Sequence, residues 1–189
     1  MHEYSCEGGN RDKVYLITLV ICAVAAFIIM YLVDYLLGGI NILLDLLIFV
    51  ISFSPLSFWV VFTKRFSRVL LKLSGIPECS GIYNGILKTN FDDFDKEYPM
   101  QITIDHQFRK MEIKFKTEMS ESLSKTASMK LDGNRVEIVY TYENEGSMEK
   151  GLNRHIGTCI LIMDGNEIKG KYYTHPDRRN FGEINAKKV

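Results

Sequence analysis

Between residues 140 and 179 the chain gathers side chains suited to a nucleotide-like ligand: Tyr140, Tyr142, His155, Thr158, Tyr172, Thr174, Arg178 and Arg179. Tyrosine faces stack on bases, at about 1–3 kcal/mol for each base. Guanidiniums pair with phosphate in a forked geometry. Hydroxyls and an imidazole supply directional hydrogen bonds inside a cavity. The alternating run Ser120, Ser122, Ser124, Thr126 and Ser128 places further hydroxyls on one face of a strand. Each group also has a structural alternative. Tyrosine packs well on strands, serine is common on solvated faces, and Arg178 and Arg179 follow the turn signal Pro176-Asp177.

Signals for catalysis are missing. There is no glycine-rich phosphate loop, no nucleophile motif and no His/Cys cluster at metal-ligand spacing. Asp105-His106 is an adjacent pair, but strand neighbours point to opposite faces. Cys6, Cys22, Cys79 and Cys159 form no redox or metal spacing and read as idle thiols of a reducing compartment. The expectation is a binding protein rather than an enzyme, with no cofactor and no metal.

The elements that carry these residues are strands. Met111, Ile113 and Phe115 alternate with Lys110, Glu112, Lys114 and Lys116, and a second alternation runs through Val136, Ile138, Tyr140 and Tyr142. Asp132-Gly133-Asn134 and Asp164-Gly165-Asn166 are hairpin turns, because these residues accept positive φ. About eight strands are expected, near 81–89, 99–106, 109–117, 120–131, 135–143, 154–163, 167–174 and 180–187. Short connections between antiparallel strands predict a lipocalin-like, up-and-down barrel, which can hold one small ligand. A two-sheet sandwich is the alternative. In a meander, the ends of the strands carrying Tyr142 and Tyr172 share one rim with the start of the strand carrying His155.

The N-terminal third is of another kind. Apolar runs from Val14 to Leu37 and from Ile40 to Phe62 are parted only by Gly38-Gly39. Each exceeds the roughly 20 residues that span a bilayer, so they predict a transmembrane helical hairpin. Lys64, Arg65, Arg68 and Lys72 follow the second run, whereas the turn has no basic neighbour. The turn therefore faces outward and both termini face the cytoplasm. Pro55 is expected to kink the second helix. Asp34 and Asp45 flank the turn within about 10 Å of it. They either reach the headgroups or line a polar contact in an assembly. The segment 64–73 has helical spacing and either continues the second helix or lies on the inner leaflet. Ser74-Gly75-Ile76-Pro77 ends it, giving a membrane region over 1–75 and a cytoplasmic β domain over 76–189.

Formal net charge is zero. From Thr63 onward 21 basic residues face 18 acidic ones, against two and five before it. That mild excess excludes an extended nucleic-acid tract and leaves room for a small anion.

Gly81-Ile-Tyr-Asn-Gly-Ile-Leu87, the serine-rich strand, Ile138-Val-Tyr-Thr-Tyr142, His155-Ile-Gly-Thr158, Lys169-Gly-Lys-Tyr-Tyr-Thr174, Arg179 and Gly182-Glu-Ile184 occur in that order. Together with the hairpin they resemble the two-transmembrane, β-barrel effectors of bacterial CBASS antiphage systems. The resemblance implies a bacterial inner-membrane protein whose barrel binds a cyclic dinucleotide made by a partner synthase. It implies that binding drives homo-oligomerisation and membrane disruption, so that the infected cell stops before phage mature. Tyr83 joins the implied ligand set, at a position where many members carry tryptophan. Two other readings compete: a membrane-tethered, lipocalin-like carrier of an apolar ligand, and an adaptor whose barrel binds another protein. The polar rim favours a polar ligand over the carrier.

Overall fold

The computed structural model describes residues 1–38, 42–62, 64–144, 155–174 and 179–189, without the side chains of 55–64. Gly39, the side chain of Pro55 and Arg178 thus lie outside what is described. The chain forms two compact units: Asn10–Ile76, and Met1–Gly9 joined with Pro77–Val189.

The first unit is helical. Helix α1, Arg11–Leu37, has 27 residues and is long and apolar enough to cross a membrane. It ends where Gly38 turns to φ 77° and its N–H bonds the carbonyl of Asp34, a left-handed cap that glycine adopts without steric cost. Val14, Thr18, Cys22 and Ala26 are buried at four-residue intervals, one line along the helix. Helix α2, Ile42–Phe62, packs against α1. Asp34 and Asp45 are both half-buried. Helix α3, Lys64–Leu73, is amphipathic, as its spacing predicts. It stops at Gly75, φ 71°, where the N–H groups of Ser74 and Ile76 bond the carbonyls of Leu70 and Leu71, each at 3.0 Å.

Among the described residues the second unit is a sheet of nine strands. They are β1 (His2–Glu7), β2 (Gly81–Thr89), β3 (Tyr98–His106), β4 (Lys110–Thr117), β5 (Glu121–Asp132), β6 (Arg135–Asn144), β7 (His155–Asp164), β8 (Glu167–Thr174) and β9 (Phe181–Lys188). β2 to β9 pair antiparallel with their chain neighbours, and β9 pairs back onto β2, so the pairings return to their start. Inner positions alternate with outer ones. Ile102, Ile113, Ile138 and Leu161, none of them exposed, form the middle of the inner face.

Nine strands replace the expected eight because β1 joins the sheet. β4 and β5 pair only at Lys114–Lys116 with Glu121–Leu123. Beyond that they part, and β1 fills the gap. His2 and Glu3 pair antiparallel with β4, and Tyr4–Glu7 pair parallel with β5. The division at residues 75 and 76 therefore leaves out a segment, Met1–Gly9, that belongs with the sheet.

The serine-rich strand also differs from expectation. A register shift lies between Ser124 and Thr126. Ser122 and Ser124 face inward, but Thr126 and Ser128 are exposed and Met129 takes the buried position. One extra residue reverses the faces, so the five hydroxyls do not share a side.

Candidate functional site

An antiparallel sheet of this order brings the ends of β2, β4, β6 and β8 to the same place as the starts of β3, β5, β7 and β9. The two ends of its inner face differ in chemistry. At the end just described the inner positions include Thr89, Ser122, Tyr142, Asn144, His155, Tyr172 and Thr174. At the other end Ile104, Met111, Met129, Val136, Met163 and Ile168 are all buried, and the polar side chains there, Tyr83 and His106, are tied to Cys79 and Tyr4. The polar end is the candidate site.

Two tyrosines dominate it, and each lies against a glycine. Tyr142 pairs across strands with Gly157, and Tyr172 with Gly182. A Cβ on Gly157 would overlap the hydroxyl end of Tyr142, and one on Gly182 would come within 2.5 Å of the Tyr172 ring. The missing side chains let the rings lie across the neighbouring strands. The Tyr172 hydroxyl then donates to Thr89 Oγ1 at 2.8 Å. His155 meets Tyr142 edge-on, with ring centroids 6.4 Å apart. Tyr140 stands one inner position deeper, 6.2 Å from Tyr142 and 2 % exposed. Burial, and then its contact with Cys159, holds the Tyr140 phenol well above its ordinary pKa, so it is a neutral hydroxyl.

The loops around this end are tied to it. Thr174 Oγ1 donates to the Asn180 carbonyl at 3.0 Å and accepts the Asn180 N–H at 2.9 Å. The Asn90 side chain accepts the Phe181 N–H at 2.8 Å and donates to the Arg179 carbonyl at 3.2 Å. Arg179 is exposed, with φ 50°. Tyr98 donates to Asp92 Oδ2 at 3.0 Å. That bond, with burial and the carboxylate charge behind it, raises the Tyr98 pKa.

Of the residues singled out from the sequence, Tyr142, His155, Tyr172, Thr174 and Ser122 come together at this end, with Tyr140 beneath them. Ser124 is engaged elsewhere. Its hydroxyl accepts the Ile113 N–H at 2.9 Å and sits 2.7 Å from His2 Nε2, closing the gap between β4 and β5. Thr158 lies on the outer face, between Thr141 and Tyr173, because the inner positions of β7 are His155, Gly157 and Cys159. Tyr83 lies toward the apolar end. Its hydroxyl donates to the Cys79 carbonyl at 3.0 Å, and Lys188 Nζ is 5.7 Å from its ring centroid.

Sequence reasoning passed over Thr89, Asn144 and the two glycines. Asn144 continues the alternation of Tyr140 and Tyr142 and is 5 % exposed, so the pattern itself could have found it. The glycines acquire meaning only with the cross-strand register. Two shallow grooves, of about 310 and 280 Å³, lie on the outer face around Lys169 and Asn185. They hold none of the aromatic residues of the polar end, and the first is crossed by the Lys187–Glu167 ion pair. Among the described residues no three His, Cys, Asp or Glu side chains converge on a metal-sized site.

Residues 74–188 match the family model described as Cap15, cyclic dinucleotide receptor domain, which is more than half of the chain. No curated protein matches the chain.

Proposed function

The chain belongs to the Cap15 cyclic dinucleotide receptor family of CBASS effectors, and from that premise we propose a membrane-seated sensor whose polar sheet end takes the ligand. The observation that carries this reading is a coincidence of boundaries. The matched segment, 74–188, covers β2 to β9 and leaves a membrane-length apolar helix before it.

In this reading β2 to β9 are a lipocalin-like barrel with β1 as an added strand. Tyr142 and Tyr172 offer faces to the two bases. His155, Ser122, Thr89 and Asn144 supply directional hydrogen bonds, and Arg178 and Arg179 meet the phosphates from the rim. The role is binding, not catalysis, and it needs no cofactor. α1 and α2 form a transmembrane hairpin in the bacterial inner membrane, with both termini cytoplasmic. A partner synthase makes the cyclic dinucleotide. Bound ligand favours a homo-oligomer whose hairpins disrupt the membrane, with Asp34 and Asp45 at the contacts between copies. The ligand drives this only through a higher affinity for the assembled state.

The test is titration of the full chain, in detergent micelles, with a panel of cyclic di- and trinucleotides. The expected result is micromolar or tighter binding of one cyclic dinucleotide with the others silent. A folded chain that binds none of them overturns the sensor reading. Dye release from vesicles carrying the chain, before and after that nucleotide, tests the membrane step separately. Binding without release removes disruption and leaves the sensor.

A further inference from the structure

The most unusual pairing in the sheet is that of β1. Among the described strands it is the one parallel to its neighbour, β5, and it sits between strands that are more than one hundred residues away in the chain. Its side chains are matched to that slot. Tyr4, 5 % exposed, reaches His106 Nε2 at 2.6 Å, and the two rings meet edge-on at 5.1 Å. His2 reaches Ser124, and Glu3 pairs with Arg109 at 2.8 Å. The N-terminal amine bonds Glu112. These partners all lie on or beside β3, β4 and β5. β1 is followed by Gly8-Gly9, with Gly8 at φ 92°, a backbone region that glycine enters freely.

A short strand on a glycine hinge, held by distant partners, is the arrangement that permits exchange between copies. Every contact β1 makes within its own chain can be made identically by β1 of another. An empty slot would expose the unpaired edges of both β4 and β5, which is costly. The slot therefore selects its occupant. A replacement strand must bring a phenol to His106, an imidazole to Ser124 and a carboxylate to Arg109, and a second β1 does all three.

We propose that the slot between β4 and β5 accepts β1 of a second copy of this chain, so that copies join by exchanging N-terminal strands. The inference stands on strand pairing alone and holds whether or not a cyclic dinucleotide binds at the polar end.

The test uses the register of Ser5 opposite Ser128, both exposed. Neighbouring Cα partners on adjacent strands are within disulfide reach. Two differently tagged full-length chains, both Cys6→Ser, are co-expressed, one with Ser5→Cys and the other with Ser128→Cys. The three remaining cysteines are buried and stay in place. After mild oxidation of the membranes, a reducible species of double mass carrying both tags is expected. It should exceed, several-fold, the background from a Ser5→Cys chain paired with a Lys171→Cys chain, since Lys171 is exposed on distant β8. A single chain carrying both Ser5→Cys and Ser128→Cys reports whether β1 seats in the slot. A between-chain yield no greater than the Lys171→Cys background overturns the proposal. So does failure of the doubly substituted chain to cross-link in either form.

Discussion

The hydroxyl end of Tyr142 lies over the bare α-carbon of Gly157, its partner across β6 and β7. A methyl group at residue 157 would overlap that ring end and also the Tyr173 carbonyl. The ring can swing away, but the backbone carbonyl on β8 cannot without disturbing the ladder. Gly157→Ala should therefore destabilise the sheet by about 1–3 kcal/mol, the usual range for overpacking. Placed in a Tyr142→Ala background, the same change should cost less but still register, because the carbonyl remains. Denaturant midpoints of the four chains measure this as a double-mutant cycle.

If the two tyrosines take the bases, affinity follows their rings. Tyr142→Ala and Tyr172→Ala should each weaken binding of the cyclic dinucleotide by about 1–3 kcal/mol, roughly 5- to 150-fold. Tyr83→Phe should leave affinity unchanged, since Tyr83 lies toward the other end and its hydroxyl is committed to the Cys79 carbonyl. Its cost would be in stability, about 1 kcal/mol for the lost hydrogen bond. Calorimetric titration of the three variants separates these outcomes. Equal weakening by all three would remove the polar end as the site.

Strand positions were legible because period-two patterning is a local signal. β2 and β8 fall where expected, at 81–89 and 167–174, and the other six lie within one residue at each end. β1 was not legible. HEYSCE alternates His2, Tyr4 and Cys6 with Glu3, Ser5 and Glu7, but the run is short and its partners are more than one hundred residues away. The faces of Thr126 and Ser128 depart from simple alternation because the register shift after Ser124 arises from pairing, not from composition. Thr158 falls outside because Cys159, Leu161 and Met163 set the inner phase of β7. The strings around Gly157 and Gly182 are two of those in the resemblance to the family, but the reason for a glycine at each position is a ring on the adjacent strand.

Alkaline pH should loosen the sheet by a route that can be followed. Burial pushes the thiols of Cys79 and Cys159 from their ordinary 9.0 up to about 12. Burial, and then the neighbouring Cys79, moves the Tyr83 phenol from 10.0 to about 12. All three groups are kept protonated by the fold, so their contribution is complete below the unfolded values and is lost as the pH climbs toward the folded ones. Stability should fall progressively from about pH 9 for the thiols and pH 10 for the phenol, up to about pH 12. Cys79→Ala combined with Cys159→Ala should flatten that decline. Urea midpoints across this window check the slope, and an unchanged slope in the double variant would contradict it.

Tyr4 anchors β1 through a buried contact whose proton can be assigned. His106 is 3 % exposed, and its Nδ1 accepts the Cys79 N–H at 3.2 Å. The ring proton therefore sits on Nε2, where it faces the Tyr4 hydroxyl oxygen at 2.6 Å. Tyr4→Phe keeps the ring and its packing but withdraws that oxygen from a buried donor. The expected cost is about 1–3 kcal/mol of stability, concentrated in β1 because His106 keeps its bond to Cys79. Amide hydrogen exchange should accelerate at residues 4–7 and at the facing positions 127–130 of β5, while β7 and β8 stay protected. Uniform acceleration across all nine strands would instead mean that β1 opens only with the whole sheet.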